Sequence, residues 1–121
     1  MSQKYTLVLG ASEKADRYSH MAVKKLRKYG HPVLAIGSRA GYIDQTVIST
    51  EKVAAEQIDT VTLYLNADKQ KEYYDYILSL KPARIIFNPG TENDELATLA
   101  ASNNIATIEA CTLVMLGTGQ Y

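Results

Sequence analysis

Five apolar and β-branched residues, Tyr5-Thr6-Leu7-Val8-Leu9, run straight into Gly10-Ala11-Ser12, and Arg17-Tyr18-Ser19 follows within ten residues at the head of a helix-like segment. A strand that feeds a tight small-residue loop and then a helix start is an anion site made from backbone. Unpaired N–H groups and the positive end of the helix dipole converge over the loop. A phosphate or pyrophosphate is the expected occupant. Gly-Ala-Ser also serves as a plain tight strand exit, and Arg17 alone would suit a surface ion pair. Together with a hydroxyl at Ser19, however, the Arg17 guanidinium can fork onto phosphate oxygens.

The rest of the chain alternates strand and helix signals. Ser19 can cap a helix through Tyr29, ended by Gly30, with Met21, Ala22, Val23, Leu26 and Tyr29 at helical spacing. Pro32–Ile36 reads as a second strand stopped at Gly37. Ser38–Ser49 reads as loop, with Gly41 and Asp44 as turn formers, and Thr50–Ile58 as a weak helix. A third strand spans Thr60–Leu65. A helix capped by Asn66 or Asp68 then runs through Leu80, with Tyr73, Tyr76, Ile77 and Leu80 on one stripe. Arg84–Phe87 is a fourth strand, Asn93–Asn103 a helix, Ala106–Glu109 a fifth strand and Cys111–Leu116 a short closing helix. Gly117–Tyr121 reads as a frayed end.

This alternation predicts one α/β domain over residues 1–121: a five-stranded, parallel, doubly wound, Rossmann-like sheet with helices on both faces, in three α/β/α layers. Ligands of such sheets sit outside the carboxyl ends of the strands, where strand order reverses. The exits of the predicted strands are therefore the candidate site.

Composition removes several alternatives. Basic and acidic side chains balance at 13 each, which argues against nucleic acid or a membrane surface as partner. The N-terminus shows no signal-peptide apolar region, and no apolar run approaches the ~20 residues of a spanning helix. One cysteine, Cys111, precludes an internal disulfide and fits a reducing cytoplasm, the expected location.

The strand exits also bear on which nucleotide is held. Of the Gly-x-Gly-x-x-Gly dinucleotide fingerprint only Gly10 is present. NAD sites carry a carboxylate ~20 residues beyond that loop to hold the ribose; here the chain has Gly37-Ser38-Arg39. Arg39 beside a ribose favours a phosphorylated sugar, as in NADP or coenzyme A (CoA), unless it is a plain exposed loop charge. No catalytic set emerges. His20 and His31 lack a paired carboxylate in sequence, and two histidines with one cysteine make no metal pattern. Nine tyrosines stand against one phenylalanine, and the crowd at Tyr73, Tyr74 and Tyr76 suits either a solvated helix face or a homo-oligomer contact.

With these residues in place, the chain resembles the small stand-alone CoA-binding domains related to the CoA-binding domain of the succinyl-CoA synthetase α-subunit. The resemblance rests on Gly10-Ala11-Ser12 with Arg17-x-Ser19, on Tyr29-Gly30-His31-Pro32-Val33, on Asn88-Pro89-Gly90-Thr91-Glu92-Asn93-Asp94-Glu95, and on the closing strand with Cys111. It implies a domain that binds CoA or an acyl-CoA without catalysis. Gly10, Ala11, Ser12, Arg17 and Ser19 would hold phosphates, and Gly37, Ser38 and Arg39 would flank the adenosine phosphate and ribose. Tyr64, Leu65 and Asn66 would wall the adenine, and Asn88, Pro89 and Gly90 would border the pantetheine arm. The chain departs from that family's pattern at Gly37-Ser38 (usually Asn-Pro), at Tyr64-Leu65 (often Phe-Arg) and at Glu109-Ala110 (Asp-Arg). An NADP-dependent oxidoreductase-like protein, or a degenerate Rossmann domain kept for protein–protein contact, are the alternative expectations.

Overall fold

Side chains of β1 (Thr6–Leu9) alternate between the two faces of a sheet, and all four are buried. Leu7 and Leu9 enter one apolar cluster and Val8 enters the other. A strand that is apolar on both sides belongs in the middle of a covered sheet. In a computed structural model, which describes residues 3–121, it is there. The first two residues of the N-terminal reading lie outside the described residues.

The elements that follow are α1 (Tyr18–Lys28), β2 (Val33–Ile36), β3 (Gly41–Ile43), β4 (Thr46–Ser49), β5 (Thr60–Leu63), α2 (Ala67–Gln70), a 3₁₀ turn (Lys71–Tyr73), α3 (Tyr74–Leu80), β6 (Arg84–Phe87), α4 (Asp94–Ser102), β7 (Ala106–Glu109) and α5 (Thr112–Gly117). The sheet order is β3-β4-β2-β1-β5-β6-β7. Helices α3 and α4 place Ile77, Leu96 and Ala100 against Leu7, Leu9, Val61, Leu63 and Ile85 on one face. Helices α1 and α5 place Val23, Leu26 and Leu116 against Val8, Ala35, Ile43 and Ile48 on the other. The three-layer, doubly wound arrangement is as expected, and a one-residue register slip in β1 would exchange the two cores.

The strand count is not as expected. The sheet has seven strands, not five, and β3 runs antiparallel to β4, so it is mixed rather than purely parallel. The segment read as loop is a hairpin turning at Asp44, whose φ is 52°. Ile43 and Ile48 point into the core, whereas Tyr42 and Val47 are exposed. Strands of three and four residues are too short for a period of two to stand out. Thr50–Ile58 is not helical, because it buries only Ile58 and has no apolar stripe to hold a helix down.

The predicted helix 66–80 is interrupted. Its first turn, capped by Asn66 accepting from the Lys69 amide at 3.0 Å, buries Gln70 completely. The chain then passes through the 3₁₀ turn before α3 begins. Helix α1 starts two residues earlier than expected: Arg17, not Ser19, is the cap residue and makes no side-chain cap bond, while Ser19 is buried inside the first turn. The C-terminal segment is also ordered against the sheet. The Tyr121 ring meets the His31 ring edge-on at 4.9 Å and lies under the Arg84 guanidinium at 4.5 Å, and its hydroxyl bonds the Thr6 hydroxyl. No helix among the described residues is long and apolar enough to cross a membrane.

Candidate functional site

Strand order reverses between β1 and β5, since β2 follows β1 to one side and β6 follows β5 to the other. The exits of β1, β2 and β5 therefore converge, and small residues let them touch. Gly10 has φ +103°, and a Cβ there would lie 3.0 Å from the Tyr64 carbonyl carbon. A Cβ on Gly37 would lie 2.2 Å from the Ala11 carbonyl oxygen, closer than any real contact. These two glycines hold the loop between its neighbours.

The same packing uses some of the loop's donors. The Gly10 and Ala11 amides both donate to the Ile36 carbonyl, at 2.8 and 2.9 Å, so the free donors lie nearer the helix. Among the first-turn amides of α1, those of Tyr18, Ser19 and His20 have no intrahelical partner by geometry, and no side chain caps them. His20 braces the loop: its Nδ1 lies 3.0 Å from the Ser12 carbonyl, which can only accept, so Nδ1 carries the proton.

Around this point lies a cleft of about 780 Å³, lined by Gly10 to Lys14, Arg17 to Ser19, Gly37 to Arg39, Tyr64, Leu65, Lys69, Glu72, Tyr73, Pro89 and Thr91. Its size is that of a small-molecule site. All but three of the residues expected from the sequence line it. The exceptions shape the loops. Asn66 caps α2. Asn88 is buried, donating to the Thr62 hydroxyl (2.6 Å) and the Leu63 carbonyl (2.9 Å) and accepting from the Thr112 amide (2.9 Å). Gly90, at φ +90°, donates its amide to the Glu92 carboxylate at 3.0 Å.

Sequence reasoning missed Glu13, Lys14, Tyr18, Lys69, Glu72, Tyr73 and Thr91. Lys14 and Tyr18 flank residues already suspected, so proximity was the available signal. Tyr73 gave none, because an unbroken helix would put it on the stripe facing the core. The four lining cations, Lys14, Arg17, Arg39 and Lys69, outnumber the acids Glu13 and Glu72. Among the described residues none of the four makes an ion pair. Glu13 is turned away from the loop, accepting from the Tyr42 amide at 2.9 Å. A chain with no net charge thus presents a locally positive cleft.

One wall is set by a buried amide network. Gln70 Nε2 donates to both the Leu65 and Thr91 carbonyls at 2.8 Å, and its Oε1 accepts from Asn93 at 2.8 Å. On the other face of the sheet, burial pushes the Tyr64 hydroxyl pKa up to about 12, so this phenol stays neutral. Cys111 is half-buried ahead of α5.

Fold and cleft together define a Rossmann-like domain with a cationic pocket at its switch point. The chain belongs to the CoA binding domain family, whose sequence profile matches residues 4–117. A crystal structure described only as that of an uncharacterized protein is 44% identical, with a TM-score of 0.97 over 100% of both chains. A Thermus thermophilus protein is 18% identical (TM-score 0.86) over 98% of this chain and 91% of its own. A hypothetical protein from Pyrococcus horikoshii OT3 is 18% identical (TM-score 0.87) over 96% and 83%. At that identity the last two establish the fold alone. No curated protein matches the sequence.

Proposed function

We propose that the protein is a non-catalytic module that binds CoA or an acyl-CoA in this cleft. The observation that carries the reading is a cation-rich pocket at the switch point of a chain from the CoA binding domain family. The pyrophosphate takes the first-turn amides of α1, the Ser19 hydroxyl and the Arg17 guanidinium, with Lys14 at the rim. The Gly10 and Ala11 amides do not contribute, since Ile36 occupies them. Ser38 and Arg39 receive the adenosine phosphate and ribose, Tyr64 and Leu65 wall the adenine, and the pantetheine arm leaves past Pro89. Asn66, Asn88 and Gly90 act by shaping these loops.

Arg39 in place of a ribose carboxylate supports NADP as the second reading. Thermal shift separates the two. With CoA and acetyl-CoA at millimolar concentration the unfolding temperature rises, by less with dephospho-CoA, and not with NAD. Selective stabilisation by NADP establishes the second reading, and stabilisation by no CoA species removes the first. In an Arg39→Ala variant the advantage of CoA over dephospho-CoA disappears.

A further inference from the structure

The break between α2 and α3 has a consequence at the cleft. It brings Tyr73, at the end of the 3₁₀ turn, to the cleft wall beside Leu65, Lys69 and Glu72. The ring is held in place from behind. It packs against the apolar cluster beneath α3, and the Lys52 ammonium lies 5.4 Å from its centroid. Lys52 is itself tied down, donating from Nζ to the Glu72 carbonyl at 2.6 Å. The other two lining tyrosines are placed differently: Tyr18 is 70% exposed at the mouth, and the Tyr64 hydroxyl is buried in the protein. Of the three lining tyrosines, Tyr73 is thus the one whose ring is braced on the core at the cleft wall. Such a ring is suited to a flat heterocycle, because stacking asks only for a π face and a fixed partner.

We infer that Tyr73 is the surface on which the purine base of the bound nucleotide stacks, with Lys52 as the positioning residue that holds the ring. The inference rests on the reading that an adenosine-bearing ligand enters this cleft. It assigns the base to the α3 side of the switch point and the phosphates to the α1 side. The ligand is then gripped at both ends across β1 and β5. Tyr73 supplies recognition of the base at the exit of β5, beside Leu65.

Calorimetric titration tests this with CoA, with ADP, and with 4′-phosphopantetheine, which has the arm and a phosphate but no base. Tyr73→Ala is expected to weaken CoA and ADP about tenfold and to leave 4′-phosphopantetheine unchanged, whereas Tyr73→Phe binds as the parent does. Lys52→Met is expected to produce a smaller loss with the same dependence on the base. Because the chain has no tryptophan, a Tyr73→Trp variant carries a single indole, whose fluorescence ADP and CoA quench and 4′-phosphopantetheine does not. Unchanged CoA affinity in Tyr73→Ala, or CoA binding without quenching, overturns the inference and leaves the CoA reading intact. If the parent binds ADP through Tyr73 but not CoA, the stacking surface stands and the CoA reading falls. If the parent binds no adenine nucleotide, both fall.

Discussion

At the scale of single residues, the N-terminal ends of the strands carry a buried histidine whose protonation is linked to folding. His31 is buried, and its Nδ1 accepts from the Lys4 amide at 3.0 Å, which requires that nitrogen to be unprotonated. Burial lowers its pKa below the ordinary 6.5, and the nearby Lys4 and Arg84 charges lower it further, against a smaller upward pull from Asp59. Between the folded-state value and 6.5 the unfolded chain binds more protons than the folded one, so stability falls as pH falls through that window. It is fully present above 6.5. Urea midpoints at pH 7.5 and pH 5.5 check this: the parent loses stability on acidification, and His31→Asn, less stable at pH 7.5, loses less. Equal losses in both proteins would assign the acid sensitivity elsewhere. That His31 sits in a turn was readable from Gly30-His31-Pro32. Its protonation state was not, because Lys4 and Arg84 reach it only through the packing of β1, β6 and the C-terminal segment.

At the scale of elements, Gln70 explains both a broken helix and a fixed cleft wall. In sequence it is one polar residue in a helix-like run and carries no signal. In the fold its amide joins the Leu65 exit, the Thr91 loop and Asn93 with three hydrogen bonds in a fully buried site. Gln70→Met keeps the volume and takes the side-chain partner from the Leu65 and Thr91 carbonyls and from one N–H of Asn93, whose amide still donates to the Tyr74 hydroxyl at 2.8 Å. At about 1–3 kcal/mol for each buried group left unsatisfied, a total loss of about 3 kcal/mol is expected in urea unfolding, since Met is flexible enough to let water or a shifted loop recover part of it. Faster amide exchange should be confined to residues 65–70 and 88–93, and uniform acceleration would deny the network its local role. The hairpin β3–β4 was hidden for a related reason. Three- and four-residue strands show their inward side chains, Ile43 and Ile48, only once β2 and α1 are beside them. The long signals, β1 with its glycine loop and α1 with its stripe, were legible because each satisfies its own pattern without help.

For the molecule as a whole, alternating strand and helix signals were enough for the three layers and the switch point, and most lining residues followed from the strand exits. Two global properties were not accessible that way. Net charge is zero over the chain, yet the cleft gathers four cations against two acids, a bias set by folding rather than composition. The glycine loop, read as a cradle of free amides, has its Gly10 and Ala11 donors taken by the β2 exit, so the proposed anion site lies farther along, at the head of α1. A ¹H–¹⁵N correlation spectrum recorded during titration with CoA reads out that displacement residue by residue. Saturable shifts are expected at Ser12, the Tyr18–His20 amides, Ser38, Arg39, Leu65 and Thr91, with Gly10 and Ala11 moving little. Shifts centred on Gly10 and Ala11, on residues outside the cleft, or on none, would contradict that placement.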